Sequence, residues 1–131
     1  HKLTLASNMG ANFIELRDAD LTIKDSGTNG RIDIEYRSVV GVQQAILIDN
    51  TGSLTVDGGT LSSSYRGIIL IDSAGSITIN GGRLYAPVTN SGSSDYVILS
   101  THSYKYNDTL QLHVNGGEID GRVMTALPQG P

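Results

Sequence analysis

Between Gly52 and Leu84 the apolar and polar positions alternate in two short phrases that are nearly copies of each other. Gly52-Ser53-Leu54-Thr55-Val56-Asp57-Gly58-Gly59 returns as Gly75-Ser76-Ile77-Thr78-Ile79-Asn80-Gly81-Gly82. In each phrase two aliphatic residues flank a threonine, a period of two that predicts a strand with its apolar side chains inward. The Gly-Gly pair predicts a sharp corner with positive φ, and Leu61 or Leu84 opens the next short strand. No segment keeps a helical period over ten or more residues, which excludes a helical repeat.

The alternation recurs in phase. Ile48 corresponds to Ile71, Asp49 to Asp72, Leu54 to Ile77 and Leu61 to Leu84, each 23 residues apart (71 − 48). A third copy, Leu112-His113-Val114-Asn115-Gly116-Gly117-Glu118-Ile119, follows the second at an offset of 35 (115 − 80). The 12 additional residues are expected in an outward insertion over 87–109, drawn from Pro87–Asp95 and His102–Thr109. Upstream, Ile14–Asp18 and Leu21–Ile23 fit the same template with an insertion around Asp25–Arg37, and Leu3-Thr4-Leu5 fits as a remnant of one more copy. A unit this small cannot close its own core, whereas stacked units bury one apolar column and pair their backbones. The reading is an all-β chain, a single domain over 1–131, folded as a short parallel β-helix of roughly four to five coils. A β-sandwich also explains short strands with frequent turns, but not the in-phase return of the phrase. The expected core is Ile14, Leu16, Leu21, Ile23, Ile46, Ile48, Leu54, Val56, Leu61, Ile69, Ile71, Ile77, Ile79, Leu84, Leu112, Val114 and Ile119.

Composition narrows the chemistry. The 131 residues carry a formal net charge of −4 with nine scattered Lys and Arg, so no basic patch suggests nucleic acid or an anionic membrane as a partner. No apolar run approaches a membrane-spanning length. The absence of cysteine excludes disulfides, thiolate metal sites and cysteine nucleophiles.

Lys2-Leu3-Thr4-Leu5, Leu21-Thr22-Ile23-Lys24-Asp25-Ser26-Gly27-Thr28-Asn29-Gly30-Arg31-Ile32 and the two "GS-x-T-x-x-GG" phrases resemble the right-handed β-helix regions of bacterial surface proteins in the pectin-lyase-like superfamily. Similar repeats occur in adhesins, phage tail spikes and polysaccharide-binding β-helix proteins. The resemblance implies a right-handed coil, an extracellular or bacterial cell-surface setting, and a module or fragment of a larger protein. It reports a coil and not an activity. For the lyases of that superfamily it implies a basic residue working with calcium or a second base, and Arg17, Arg66, Arg83 and Lys105 form no motif of that kind with the acids.

Candidate sites fall in five groups. Asp49 and Asp72, with Asp18 near the same phase, could form an acidic ladder for Ca²⁺, although Asp at a strand end more often bonds the next turn's backbone. Asp57, Asn80 and Asn115 form a column beside the glycine corner that reads as a structural ladder. Leu47 and Leu70 fall on the outward phase of "AILID" and "IILID", so they are candidates for a protein contact or for cover by a loop. Tyr65, Tyr85, Tyr96, Tyr104 and Tyr106 are the candidate ligand-binding residues, with the Tyr96–Tyr106 segment as the expected contact region for a carbohydrate. The outward column Thr22, Thr55, Thr78 is broken by His113, which weakens an ice-binding reading.

No "HExxH", nucleophile elbow or phosphate-cradling loop occurs. The expectation is therefore a non-enzymatic surface module, structural or adhesive, without a cofactor, whose partner is a polysaccharide or a host or neighbouring protein. The second reading is a self-assembling filament or phage tail-fibre subunit stacking through open solenoid ends, and the third a polysaccharide lyase or hydrolase.

Overall fold

A computed structural model describes residues 2–7, 13–36, 45–63, 68–71, 75–86, 96–100 and 111–125. Among these residues fourteen strands form three sheets. The first joins β1 (Lys2–Ser7), β4 (Arg31–Tyr36), β7 (Thr60–Ser63), β10 (Arg83–Tyr85) and β13 (Glu118–Asp120) in that order. The second joins β2 (Ile14–Arg17), β5 (Ile46–Asp49), β8 (Ile69–Ile71), β11 (Ile98–Ser100) and β14 (Val123–Thr125). The third joins β3 (Asp20–Ile23), β6 (Ser53–Val56), β9 (Ser76–Ile79) and β12 (Gln111–Val114). The chain thus visits the three sheets in rotation, and every pairing among the described strands is parallel. Parallel pairing throughout overturns the sandwich alternative, whose sheets are antiparallel.

The register follows the repeat. Ile48 pairs with Ile71, Leu54 with Ile77, Leu61 with Leu84, and Ile77 in turn with Leu112. One apolar cluster fills the space between the sheets, with Ile48, Leu54, Val56, Ile69, Ile77, Ile79 and Leu84 all at 0 % exposure. Burying each such side chain contributes roughly 1.5–3 kcal/mol. Ile34, Ala45, Ile68, Ala86, Val97 and Ile98 also belong to the core, in addition to the expected set. At the sheet edges the same inward phase is open. Leu3 on β1 is 54 % exposed and Val114 on β12, expected in the core, is 52 % exposed, because no described strand lies beyond either. Leu112 and Ile119 are only partly buried for the same reason.

The corner from the third sheet to the first is the most regular feature. Gly59, Gly82 and Gly117 hold φ of 85°, 85° and 83°. They also stack closely, since a Cβ on Gly82 would stand 2.5 Å from the Gly59 carbonyl oxygen. Positive φ and this approach together demand glycine. Beside them Asn80 Nδ2 donates to Asp57 Oδ1 at 2.8 Å and Asn115 Nδ2 to Asn80 Oδ1 at 2.8 Å, which is the expected ladder. Lys24 caps the ladder, its Nζ 3.9 Å from Asp57.

Insertions are placed differently from expectation in the first half. Arg31–Tyr36, inside the expected Asp25–Arg37 insertion, is strand β4, and the additional residues there include the loop around Asp25. That loop closes on itself, because Asp25 accepts from the Gly27 and Gly30 amides at 3.0 and 2.9 Å. The Gly30 bond, then the Gly27 bond, hold the Asp25 carboxyl below its ordinary pKa. The 87–109 stretch is likewise interrupted by β11. Its outer parts, 87–95 and 101–109, lie outside the described residues.

Candidate functional site

The outer face of the first sheet carries the richest polar chemistry of the described residues. Alternation sends Ile32, Leu61, Leu84 and Ile119 toward the core, so their neighbours face out in two rows. Lys2, Arg31, Thr60, Arg83 and Glu118 share one register row, and Thr4, Asp33, Ser62, Tyr85 and Asp120 share the next. A groove of about 580 Å³ runs over β4, β7 and β10, lined by Arg31, Asp33, Glu35, Thr60, Ser62, Arg83 and Tyr85 among others. That volume falls in the range of ligand sites, roughly 300–1,000 Å³.

Asp33 is the centre of the groove. Lys2 Nζ stands 2.9 Å from its Oδ2, the Arg31 guanidinium 2.8 Å from its Oδ1, and Ser62 Oγ donates to Oδ1 at 2.7 Å. These neighbours leave the residue only 9 % exposed although it faces outward. Burial alone raises the pKa of such a carboxyl, but the bonds from Lys2, Ser62 and Arg31 outweigh it and lower the pKa to about 2. Asp33 is therefore ionised at any ordinary pH and accepts hydrogen bonds; it has no proton to give. A second cluster lies two strands away. Arg83 bonds Asp120 and stands 3.6 Å from Glu118, while its guanidinium carbon lies 5.3 Å from the centre of the Tyr85 ring. The Asp120 bond raises the Arg83 pKa further above its already high value. Tyr85 is 36 % exposed, so an aromatic face braced by a cation is open to solvent.

No family model, curated protein or solved structure matches the chain. What the site can do follows from its own geometry.

Two of the five tyrosines expected to bind ligand, Tyr85 and Tyr96, are among the described residues, and of these Tyr85 lines the groove. Tyr96 is 3 % exposed, so its ring is part of the interior and cannot stack on a sugar. It is drawn in because the following Val97 is bonded on both sides: its amide donates to the Arg122 carbonyl, and its carbonyl accepts from Ile68 and Ile69. Tyr65, Tyr104 and Tyr106 lie outside the described residues. Leu47 is half-buried on the outer phase of β5, between the fully buried Ile46 and Ile48. Leu70, Leu99 and Met124 hold the successive register positions beside it. Asp49 sits opposite Arg17, not Asp18, and Arg17 Nε donates to it at 3.2 Å. Its other oxygen accepts from the Asn50 amide at 2.8 Å, the turn role that competes with metal binding. Asp18 pairs with the next turn in the same way, and the bonds from the Thr51 amide and hydroxyl and the Asn50 side-chain amide lower its pKa. Asp72 lies outside the described residues, and among those described no three His, Cys, Asp or Glu side chains are grouped closely enough to hold a metal ion.

The repeat pattern alone does not single out Arg31, Asp33, Thr60, Ser62 or Arg83 as site residues. A signal for the first row exists nonetheless: Gly30-Arg31-Ile32, Gly59-Thr60-Leu61, Gly82-Arg83-Leu84 and Gly117-Glu118-Ile119 all read glycine, variable residue, aliphatic residue. The variable residue is the one the corner delivers to the outer face.

Proposed function

We propose that this chain is a right-handed parallel β-helix of four to five coils that serves as a non-enzymatic polysaccharide-binding module, displayed outside the cell on a bacterial surface. The rotation of fourteen parallel strands through three sheets supports the coil, and parallel crossovers are overwhelmingly right-handed. The surface setting follows from the resemblance of its repeat phrases to bacterial surface β-helices. The observation that carries the binding role is the groove on the first sheet, where the exposed Tyr85 ring stands beside Arg83, Thr60, Ser62 and the ionised Asp33. An aromatic face takes the apolar side of a sugar ring while hydroxyls and fixed charges take its hydroxyl groups. Asp33, with its pKa lowered to about 2, is suited to accepting hydrogen bonds and unsuited to the role of general acid.

A panel of soluble polysaccharides tested by affinity electrophoresis checks this. The expected result is retention by at least one polymer, reduced about tenfold or more by Tyr85→Ala and by Arg83→Ala, with no bond cleavage. Retention unaffected by both substitutions moves the site elsewhere, and cleavage of a polymer overturns the non-enzymatic reading.

A second reading, end-to-end assembly, is favoured by one observation. Apolar side chains that face the core elsewhere lie open at both sheet edges, with Leu3 at 54 %, Val114 at 52 % and Val123 at 39 % exposure. Unpaired edges with apolar residues invite pairing. Light scattering across a wide concentration range decides it: a mass that stays at one chain removes assembly as a function.

A further inference from the structure

We infer that the polymer held by this groove is an uncharged polysaccharide lying across β4, β7 and β10, with acidic polysaccharides disfavoured; the inference rests on the sugar-binding reading above. Among the described residues the outer rows of the first sheet carry three cations, Lys2, Arg31 and Arg83, against four carboxylates, Asp33, Glu35, Glu118 and Asp120. Each cation already has a carboxylate within 4 Å: Lys2 at 2.9 Å and Arg31 at 2.8 Å share Asp33, and Arg83 has Glu118 at 3.6 Å and Asp120 closer still. Over these described rows the carboxylates outnumber the cations, so among the described residues no surplus positive charge is left to neutralise a uronate, and a carboxylate entering the groove meets Asp33 and Glu35, which line it. Like charges brought together in a partly desolvated site repel strongly.

A hydroxyl meets the same surface on different terms. It donates and accepts at once, so it bridges a paired guanidinium and carboxylate without breaking the pair. The Arg31–Asp33 pair with Ser62, and the Arg83–Asp120 pair beside Tyr85, are two such stations, on β4 with β7 and on β10 with β13. Two strand spacings, about 10 Å, separate β4 from β10, the length of two sugar rings laid along the direction in which the strands stack. Among the described residues one ring, Tyr85, lines the groove, which fits a short run of sugars in a shallow trough.

The test uses the whole chain in affinity electrophoresis against neutral polymers (a glucan, a galactomannan, a xyloglucan) and acidic ones (polygalacturonate, alginate), at low and high salt. The expected result is retention by a neutral polymer, changing less than about twofold with salt, and none by the acidic ones. Glu118→Gln combined with Asp120→Asn releases Arg83 at two exposed positions, and it should bring about a fivefold gain in polygalacturonate retention at low salt that high salt abolishes. Preferential, salt-sensitive retention of an acidic polymer by the wild type overturns the inference while sugar binding stands. A double variant that gains nothing also overturns it, since neutralisation is then not what excludes acids. Blank results with every polymer bring down the sugar-binding reading itself.

Discussion

Two neighbouring regions of this molecule are built in contrasting ways. At the corner between the third and first sheets each turn repeats what the last one did: Gly59, Gly82 and Gly117 share one backbone conformation, and Asp57, Asn80 and Asn115 are linked through side-chain hydrogen bonds. Three residues past Asn80 the outer face begins, and there the register partners Arg31, Thr60, Arg83 and Glu118 differ in size and charge. Stacked amides satisfy one another, so repetition stabilises the corner. Stacked identical charges repel, so the face is variegated, and its closest cross-strand ion pairs run diagonally, Lys2 to Asp33 and Arg83 to Asp120. Sameness marks the scaffold, and variety in the same register marks the surface available for recognition.

Substitutions separate the two. The largest effect is expected at the corner, where Gly82→Ala combines a positive φ with a Cβ driven against the Gly59 carbonyl. A loss on the order of 3 kcal/mol by chemical denaturation is expected. A loss no greater than that of an ordinary surface change would mean that the corner relaxes freely. On the face, Asp33 contributes through its charge. Its pKa is lowered in the folded chain to about 2, so its stabilisation is fully present above about pH 4 and disappears as pH falls from there toward 2. Asp33→Asn should therefore cost on the order of 2 kcal/mol near neutrality, and the gap between variant and wild type should close across that acid window. A gap that persists unchanged at pH 2 contradicts the charge-based account. Returning to the corner, Asn80→Ala removes two exposed ladder bonds and is expected to lower stability by about 1 kcal/mol, measured as a shift in denaturation midpoint. Smallest is Tyr85→Ala, which should leave stability within roughly 0.5 kcal/mol while removing sugar retention, so that the melting curve stays in place and the binding gel changes.

This contrast also explains how much of the molecule is legible in its sequence. The 23-residue repeat is written in the chain as Leu54 to Ile77 and Leu61 to Leu84, and the strands pair in that register. The Asn ladder and the glycine corner are legible for the same reason: side chains that stack on their own kind leave a repeating mark. The face leaves almost none, because Lys2 and Asp33 meet across two strands with no fixed spacing. Tyrosines mislead in a specific way. The polar company of Tyr96 suggests exposure, but what decides its placement is the backbone bonding of Val97, which brings the ring under the surface. The Leu47 row shows the opposite failure: Leu99 and Met124 continue it at irregular intervals that no repeat template reveals.

The spacing between strands carries one more consequence. From the third sheet to the first the chain takes seven residues each time in the later turns, Ser53 to Thr60, Ser76 to Arg83 and Gln111 to Glu118. Between the other sheets the count varies: it is nine (Thr60 to Ile69) in one turn and fifteen (Arg83 to Ile98) in the next, and six (Ile14 to Asp20) in one and thirteen (Ile98 to Gln111) in another. Each glycine corner therefore acts as a reading-frame reset: sequence gained or lost at the other two bends is taken up locally, and the next turn still starts in phase. Such a chain can be rewritten at two of its three bends without retuning its core.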